Sequence, residues 1–366
     1  MAWMKAVNLE KEHGNRTTLG NILKQALEAC NDTELYFLMY AKHLWKQEKN
    51  IDEAINVLKK SLDDLDDEEE LYLALVKLYK EKRQYDDARR LLIKGRQKCD
   101  SNRIWMQSAQ IEREVGEPEQ AQKILETAIE KYPTFYKLYL ISATLKQEAG
   151  DLETTRKVYE EAVKTCRAHP QLWICYARME QSQENYTKAR ALLQKGRIKI
   201  PRNDLLWLET IWLEIRADNV KVATHLCSKA LQQCPNSGRL WSLAIELEPV
   251  QGRKAKSLQG IKACEQDAHV CIAVAKLFWR EKKYDKTRRW LKRASALNKD
   301  LGDAWAYLYK FELENGDEEA QKEVLDECVK EEPRHGEYWC SISKQVSHWR
   351  LSTEEILAKT VEIVPL

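Results

Sequence analysis

The sequence predicts an all-α protein, an α-solenoid (superhelix) of about eleven helix-turn-helix repeats. Three observations carry the prediction. Helix breakers are scarce, with 12 Gly and 8 Pro in 366 residues, and Ala, Leu, Glu, Lys and Gln are abundant. An aromatic anchor returns along almost the whole chain: Trp3, Phe37, Tyr72, Trp105, Tyr139, Trp173, Trp207, Trp241, Trp305 and Trp339, with Cys271 in the one vacant place. The interval is 34 residues, apart from one of 35, one of 33 and a single 30 between Trp241 and Cys271. A fixed period of this size marks a stacked array of hairpins.

Each unit reads as two helices. The first carries the anchor and, four residues on, an apolar residue on the same face: Ala41, Val76, Ala109, Ala143, Ala177, Ile211, Ile245 or Ala275. Eleven residues after the anchor stands Gly14, Gly116, Gly150, Gly252 or Gly316, suited to the left-handed conformation that ends a helix. Other units place Asp, Glu, Lys or Arg there. The second helix has small residues at anchor+16 (Ala88, Ala121, Thr155, Ala189, Ala223, Thr287). Small residues return at anchor+23 (Ala26, Gly95, Ala128, Ala162, Gly196, Ala230, Cys264, Ala294, Cys328). Seven residues make about two turns, so both sets lie on one face and let helices approach closely. Larger apolar residues such as Leu91, Ile124, Val158, Leu192 and Leu226 fill the space between. Pro133, Pro201, Pro235 and Pro333, six residues before the next anchor, stop the helix. A lone hairpin cannot bury its apolar face, whereas stacked hairpins share a continuous core. Eleven layers about 9 Å apart would make a superhelix on the order of 100 Å long. The expectation is one solenoid over residues 1–366, although the length alone suggests two or three domains.

Composition excludes several classes. At 43% apolar the chain is too hydrophobic for disorder, and no apolar run approaches the roughly 18 residues of a membrane span. The first residues, AWMKAVNLE, read as an amphipathic helix rather than a signal peptide. Sixty Lys+Arg against 58 Asp+Glu give a net charge of +2, with no global pull toward nucleic acid. Ten cysteines include no C-x-x-C pair, which points to a reducing compartment and free thiols. Cys30, Cys166, Cys234 and Cys264 each lie seven residues before an anchor, so they read as core packing, one helix pair apart and out of disulfide reach. Phosphate-binding glycine loops, nucleophile elbows and H-E-x-x-H are lacking. The reading is therefore no enzyme, no cofactor, no metal and no small-molecule substrate.

Two charged positions obey the repeat: Glu at anchor+7 (Glu10, Glu112, Glu180, Glu214, Glu248, Glu312) and Arg at anchor+17 (Arg89, Arg156, Arg190, Arg288). They are expected to make ion pairs and hydrogen bonds inside the array rather than contacts to a ligand. The anchors are expected to wedge between helices rather than to offer stacking platforms to RNA bases. Charge is also blocked. Residues 63–70, DDLDDEEE, hold seven acids; residues 253–293 hold 13 bases against 4 acids; residues 300–333 hold 12 acids against 3 bases. In the basic block, Lys282, Lys283, Lys286, Arg289 and Lys292 avoid the apolar stripe of Tyr284, Thr287, Trp290, Leu291 and Ala294. They form the candidate partner surface, unless they are only a solvated face, and they lie in the ninth unit, where the short 30-residue interval is expected to break the array's regularity. An acidic protein segment suits that surface better than RNA phosphate, which the neighbouring acidic block would repel.

No unit has the Gly four residues after the anchor that a tetratricopeptide repeat carries. The anchor–Ala–Glu first helix, with Ala88-Arg89 and Ala189-Arg190 in the second, resembles instead the half-a-TPR (HAT) repeat of RNA-processing proteins. The strings CPNSGRLWS (234–242), AVAKLFW (273–279), LGDAWAYLYKFEL (301–313) and EPRHGEYWC (332–340) resemble the C-terminal HAT array of a tri-snRNP splicing scaffold family. That resemblance implies a nuclear, non-catalytic protein-interaction scaffold bridging components of the spliceosomal tri-snRNP. Its partners would be other spliceosomal snRNP proteins, with RNA reached indirectly through the ribonucleoprotein. Family members carry a long N-terminal region and further HAT units, so this chain reads as a C-terminal piece or a reduced relative. Two alternatives stay open: a HAT scaffold of 3′-end cleavage or ribosome biogenesis, which would often self-associate, and direct RNA binding through residues 253–293.

Overall fold

The computed structural model describes residues 2–29, 34–65, 67–345, 348 and 351–365. Among them the chain is an all-α helical-repeat solenoid of 22 helices without strands. The isolated parallel bridge recorded there joins Leu301 to His335. Among the described residues no helix is long and apolar enough to cross a membrane. The chain divides into two compact units, residues 1–166 and 167–366.

The first unit holds five hairpins: α1 (Ala2–His13) with α2 (Arg16–Ala29), α3 (Glu34–Lys46) with α4 (Ile51–Asp64), α5 (Glu69–Glu81) with α6 (Tyr85–Lys98), α7 (Asn102–Val115) with α8 (Pro118–Lys131), and α9 (Tyr136–Glu148) with α10 (Leu152–Thr165). The second unit holds six: α11 (Pro170–Ser182) with α12 (Tyr186–Lys199), α13 (Asp204–Arg216) with α14 (Val220–Gln233), α15 (Gly238–Leu247) with α16 (Arg253–Ala263), α17 (Ala268–Arg280) with α18 (Tyr284–Leu297), α19 (Gly302–Asn315) with α20 (Glu318–Glu331), and α21 (Glu337–Ser343) with α22 (Thr353–Ile363). Every anchor falls on the first helix of a hairpin.

Packing follows the small residues. Ala88, Ala121, Thr155, Ala189, Ala223 and Thr287 are fully buried, as are Ala128, Ala162, Ala230, Ala294 and Cys328. Glycine is needed at two of these contacts. A Cβ on Gly196 would stand 3.0 Å from Trp173 Cγ, and one on Gly95 would stand 3.1 Å from Tyr72 Cδ1. The second helix thus lies directly on the anchor of its own hairpin. Trp173, Trp305 and Trp339 are buried, and several anchors fix their indole by donating Nε1–H to a carbonyl six residues earlier: Trp173 to Arg167 at 3.2 Å, Trp241 to Pro235 at 2.8 Å and Trp305 to Lys299 at 2.8 Å. Where the indole is only half-buried, a guanidinium covers its outer face, as Arg96 does over Trp105 (4.9 Å) and Arg197 over Trp207 (4.1 Å).

Three sequence expectations need correction. Gly252 (φ −88°) and Gly316 (φ −106°) are not left-handed. The left-handed turn is made by Gly116 and Gly150, but also by Lys49, Arg83, Glu184, Asp218 and Lys282. A single αL residue lets the next N–H turn back onto the helix, as Asn185 does onto Glu180 O (3.0 Å) and Lys283 onto Phe278 O (2.9 Å). The four residues missing from the 30-residue interval belong to the eighth hairpin, not the ninth: α15 and α16 have 10 and 11 residues against the usual 13 and 14. In that shortened hairpin Cys264 falls beyond the end of α16, and Gly260 takes the close-packing place against Trp241.

None of the described cysteines is joined in a disulfide. Cys30 lies outside the described residues. Burial pushes the thiols of Cys227 and Cys271 up to about 11 and that of Cys328 up to about 12, which makes them poor nucleophiles.

Candidate functional site

Three of the repeated arginines are committed to the array. Arg89 donates through Nε and a terminal nitrogen to Glu112 (2.9 and 2.7 Å), Arg190 to Glu214 (2.7 and 2.9 Å), and Arg288 to Glu312 (2.7 and 2.8 Å). Each is a two-pronged pair from the second helix of one hairpin to the first helix of the next, the geometry at which guanidinium and carboxylate match best. The Arg190 hydrogen bond holds the Glu214 carboxyl below its ordinary range. Glu312 is fully buried.

What the array leaves open is a groove of about 620 Å³ on the first helices of the second unit. Its residues recur at fixed offsets from the anchor. Gln171, Leu205, Arg239, His269, Asp303 and Glu337 stand two residues before it; Arg178, Trp212, Glu246, Lys276 and Lys344 stand five after it. Between these rows, Ile174, Leu208, Leu243, Ile272 and Tyr307 form an apolar floor. The offsets place all of them on the helix face turned away from the second helices. No anchor lines the groove.

Much of the charge there is internally matched. Glu209 receives Arg178 at Oε2 and Arg216 at Oε1, both at 2.5 Å. Lys276 is buried, pairs with Glu246, and lies 5.3 Å from the Tyr307 ring centroid. Asp303 accepts the backbone N–H groups of Glu337 (2.7 Å) and Trp339 (2.8 Å), so it caps the start of α21. Burial raises the Asp303 carboxyl in spite of those bonds, and burial likewise raises Glu337 and lifts Tyr338 to about 12. Arg239 Nε lies 3.2 Å from His269 Nε2. Burial, aided by the Arg239 charge, lowers His269 to about 4 against the pull of Asp267, so its imidazole is neutral at pH 7.

The sequence-predicted surface is elsewhere. Lys282, Lys283, Lys286, Arg289 and Lys292 sit on the α17–α18 turn and along α18, all exposed, and none lines the groove. Two of them are engaged: Lys283 with Glu281 (2.7 Å) and Lys292 with Glu323 (3.1 Å). Lys283 and Lys286 lie 5.9 and 5.5 Å from the Phe278 ring centroid. The basic and acidic blocks therefore meet, through Arg288–Glu312 and Lys292–Glu323. The anchor, not the groove offsets, gives the obvious sequence signal; reading the positions two before and five after each anchor would have found the groove.

Among the described residues no cluster of three or more His, Cys, Asp or Glu is arranged to hold a metal.

The tetratricopeptide-repeat family model matches residues 46–111, despite the missing glycines. The chain is 65% identical over 274 residues to Protein STABILIZED1 of Arabidopsis thaliana, covering 75% of this chain and 27% of that protein. It is 50% identical over 105 residues to human Pre-mRNA-processing factor 6, covering 29% of this chain and 11% of the relative. Against Pre-mRNA-splicing factor prp1 of Schizosaccharomyces pombe it is 37% identical over 112 residues, covering 31% and 12%. The matched stretches thus span between about a tenth and about a quarter of the length of these relatives. The crystal structure of yeast Tom70 superimposes with a TM-score of 0.50 at 14% identity, over 99% of this chain and 92% of that one, a likeness of fold. The chain carries tetratricopeptide-type helical repeats and is similar, over part of its length, to named pre-mRNA splicing proteins.

Proposed function

We propose that this chain is a non-catalytic protein-interaction scaffold of nuclear pre-mRNA splicing that bridges components of the spliceosomal tri-snRNP. The observation that carries the reading is the 50% identity to Pre-mRNA-processing factor 6, joined to the match with the fission-yeast splicing factor. The architecture supports it, because stacked hairpins expose long surfaces while Arg89, Arg190 and Arg288 are spent on Glu112, Glu214 and Glu312 within the array. The 34-residue register also continues from Tyr139 to Trp173, across the division at residue 166, which supports one continuous array over residues 1–366. Lys282, Lys283, Lys286, Arg289 and Lys292 serve in this reading as a surface for an acidic protein segment.

Affinity purification of the full chain from nuclear extract, with the bound proteins identified by mass spectrometry, tests the proposal. Tri-snRNP proteins are expected. Recovery of 3′-end cleavage or ribosome-biogenesis factors in their place, together with a stable dimer in sedimentation equilibrium, would replace it with the other HAT scaffold reading.

A further inference from the structure

We propose that the outer face of α12, α14 and α16 binds the phosphate backbone of base-paired RNA. This goes beyond the scaffold reading, in which RNA is reached only indirectly, and does not depend on it.

The observation is an unbroken stretch of one sign of charge. Together α12, α14 and α16 hold eleven Lys and Arg and no Asp or Glu. Every other second helix carries at least one acid, Glu28 in α2 and Asp285 in α18 being the sparsest cases. Six of the eleven bases are turned to the array itself. Lys188 pairs with the buried Glu180 (2.8 Å), Arg190 with Glu214, and Lys254 with Glu281 (2.8 Å). Arg253 donates to the carbonyls of Glu246 and Glu248, while Arg197 and Lys256 cover Trp207 and Trp241. The other five, Lys195, Lys199, Lys221, Lys229 and Lys262, are exposed and make no ion pair among the described residues. The groove is lined from the first helices, so these five ammonium groups stand on the opposite side of the layer. The exposed carboxylates of the adjoining turns, Glu184, Asp218 and Glu265, sit at the ends of these helices rather than along them.

Geometry and chemistry select the ligand. Lys195 and Lys199 share one helix face with a rise of about 6 Å between them, and Lys221 and Lys229 are separated by a rise of about 12 Å. With hairpin layers about 9 Å apart, the three helices make a band about 20 Å across. A double helix carries one phosphate charge per about 1.7 Å of its axis, so several phosphates fall within reach of the five lysines, and each contact releases counterions. Single strands are bound by stacking bases on aromatic side chains. None is exposed on these helices, and the Trp207 and Trp241 faces are already covered. An acidic amphipathic segment would need a row of apolar contacts. Ile198 and Val222 are exposed, but they are the thirteenth residue of α12 and the third of α14, about 15 Å apart along parallel helices. The acidic block that disfavours RNA beside α18 lies on α19 and α20, beyond the ninth hairpin from α16.

The test is fluorescence anisotropy of the full chain with a labelled RNA duplex of about 16 base pairs, the length a duplex-binding domain spans. Affinity should fall linearly with the logarithm of salt concentration. Lys195→Gln, Lys199→Gln, Lys221→Gln, Lys229→Gln and Lys262→Gln combined should weaken the duplex about tenfold or more and flatten that slope, with unchanged circular dichroism; Lys229→Gln alone should reduce the slope by about one. Arginine at the same five positions should restore binding. Lys282→Gln combined with Lys283→Gln should change the affinity far less. An affinity indifferent to the five glutamines, or an equal loss in the Lys282–Lys283 control, would overturn the proposal. So would poly-uridine or poly-glutamate bound more tightly than the duplex with the same dependence on the five lysines, which would assign the face to single strands or to an acidic protein. The two readings fail separately: a chain that recovers tri-snRNP proteins but ignores the duplex sinks this proposal alone, and the converse sinks the splicing assignment alone.

Discussion

Glu312 is fully buried, and its charge is tolerable because Arg288 meets both carboxylate oxygens. Removing one member of such a pair costs more than removing both, since the survivor stays buried without its counter-charge. Arg288→Met should destabilise the ninth and tenth hairpins by about 2–3 kcal/mol, at or below the low end for buried pairs because the guanidinium is partly exposed. Adding Glu312→Leu should recover most of that loss. Hydrogen exchange of α18 and α19 distinguishes the single from the double variant; equal losses would mean the pair contributes net stability. His269 gives a second residue-scale prediction. Its folded pKa, about 4, lies below the ordinary 6.5, so the unfolded chain takes up the proton first. The stability linked to a neutral His269 is full above pH 6.5 and is lost as pH falls from about 6.5 toward 4. Asp267 and Asp204 oppose the downward shift and Arg239 reinforces it. His269→Gln should flatten the urea midpoint between pH 7.5 and pH 5, where the parent chain declines.

At the scale of the element, the turns between paired helices hold left-handed residues that are not glycine. Glu184 (φ 59°) and Asp218 (φ 58°) are exposed and adopt a conformation that costs an L-residue about 1–2 kcal/mol. Glycine there removes the strain but frees the unfolded chain, at about 0.5–1 kcal/mol. Glu184→Gly and Asp218→Gly should each stabilise their hairpin by about 0.5–1 kcal/mol, read as slower local exchange; a loss of stability would show that the side chain itself contributes. Helix contacts behave in the opposite sense. Ala162 and Ala230 are fully buried, so Ala162→Trp or Ala230→Trp should overpack the contact at a cost of about 1–3 kcal/mol. Exchange should rise in the altered hairpin and its neighbours, because repeat arrays couple through adjacent units. A Cβ on Gly302 would overlap the Trp339 indole, so Gly302→Ala should loosen α21 from α19 in the same local manner.

For the whole molecule, the charge blocks matter more than the net charge of +2. Basic residues of α18 and acidic residues of α19 and α20 meet in ion pairs, so part of each block is neutralised within the second unit. Lys282, Lys286 and Arg289 remain exposed without such a partner among the described residues. Reversing Lys282, Lys283 and Lys286 to Glu should leave helicity intact and make recovery of an acidic protein partner weaker and less sensitive to salt. Unchanged recovery at every salt concentration would reduce this surface to a solvated face. If protein partners persist while RNA crosslinking disappears, the surface contacts RNA.

By itself the sequence determined the all-α repeat architecture and, Cys264 apart, the small residues at the close helix contacts. These follow from local periodicity, since the same short-range packing problem is solved every 34 residues and leaves a regular mark at Trp173, Ala189 and Gly196. That Arg89, Arg190 and Arg288 would be spent inside the array was legible for the same reason, whereas their particular partners Glu112, Glu214 and Glu312 were not. Tertiary structure alone decided that the short interval belongs to α15 and α16, and that turns tolerate left-handed Glu184 and Asp218. It also decided that Lys292 already has Glu323 beside it. The groove belongs to this second class. Arg178, Arg239 and Lys344 lie on different hairpins, and no local pattern states that Glu337 comes to face Arg178 or that Asp303 comes to face Arg239. That balance of charge exists only once the curvature of the second unit has brought the first helices of six hairpins around one space.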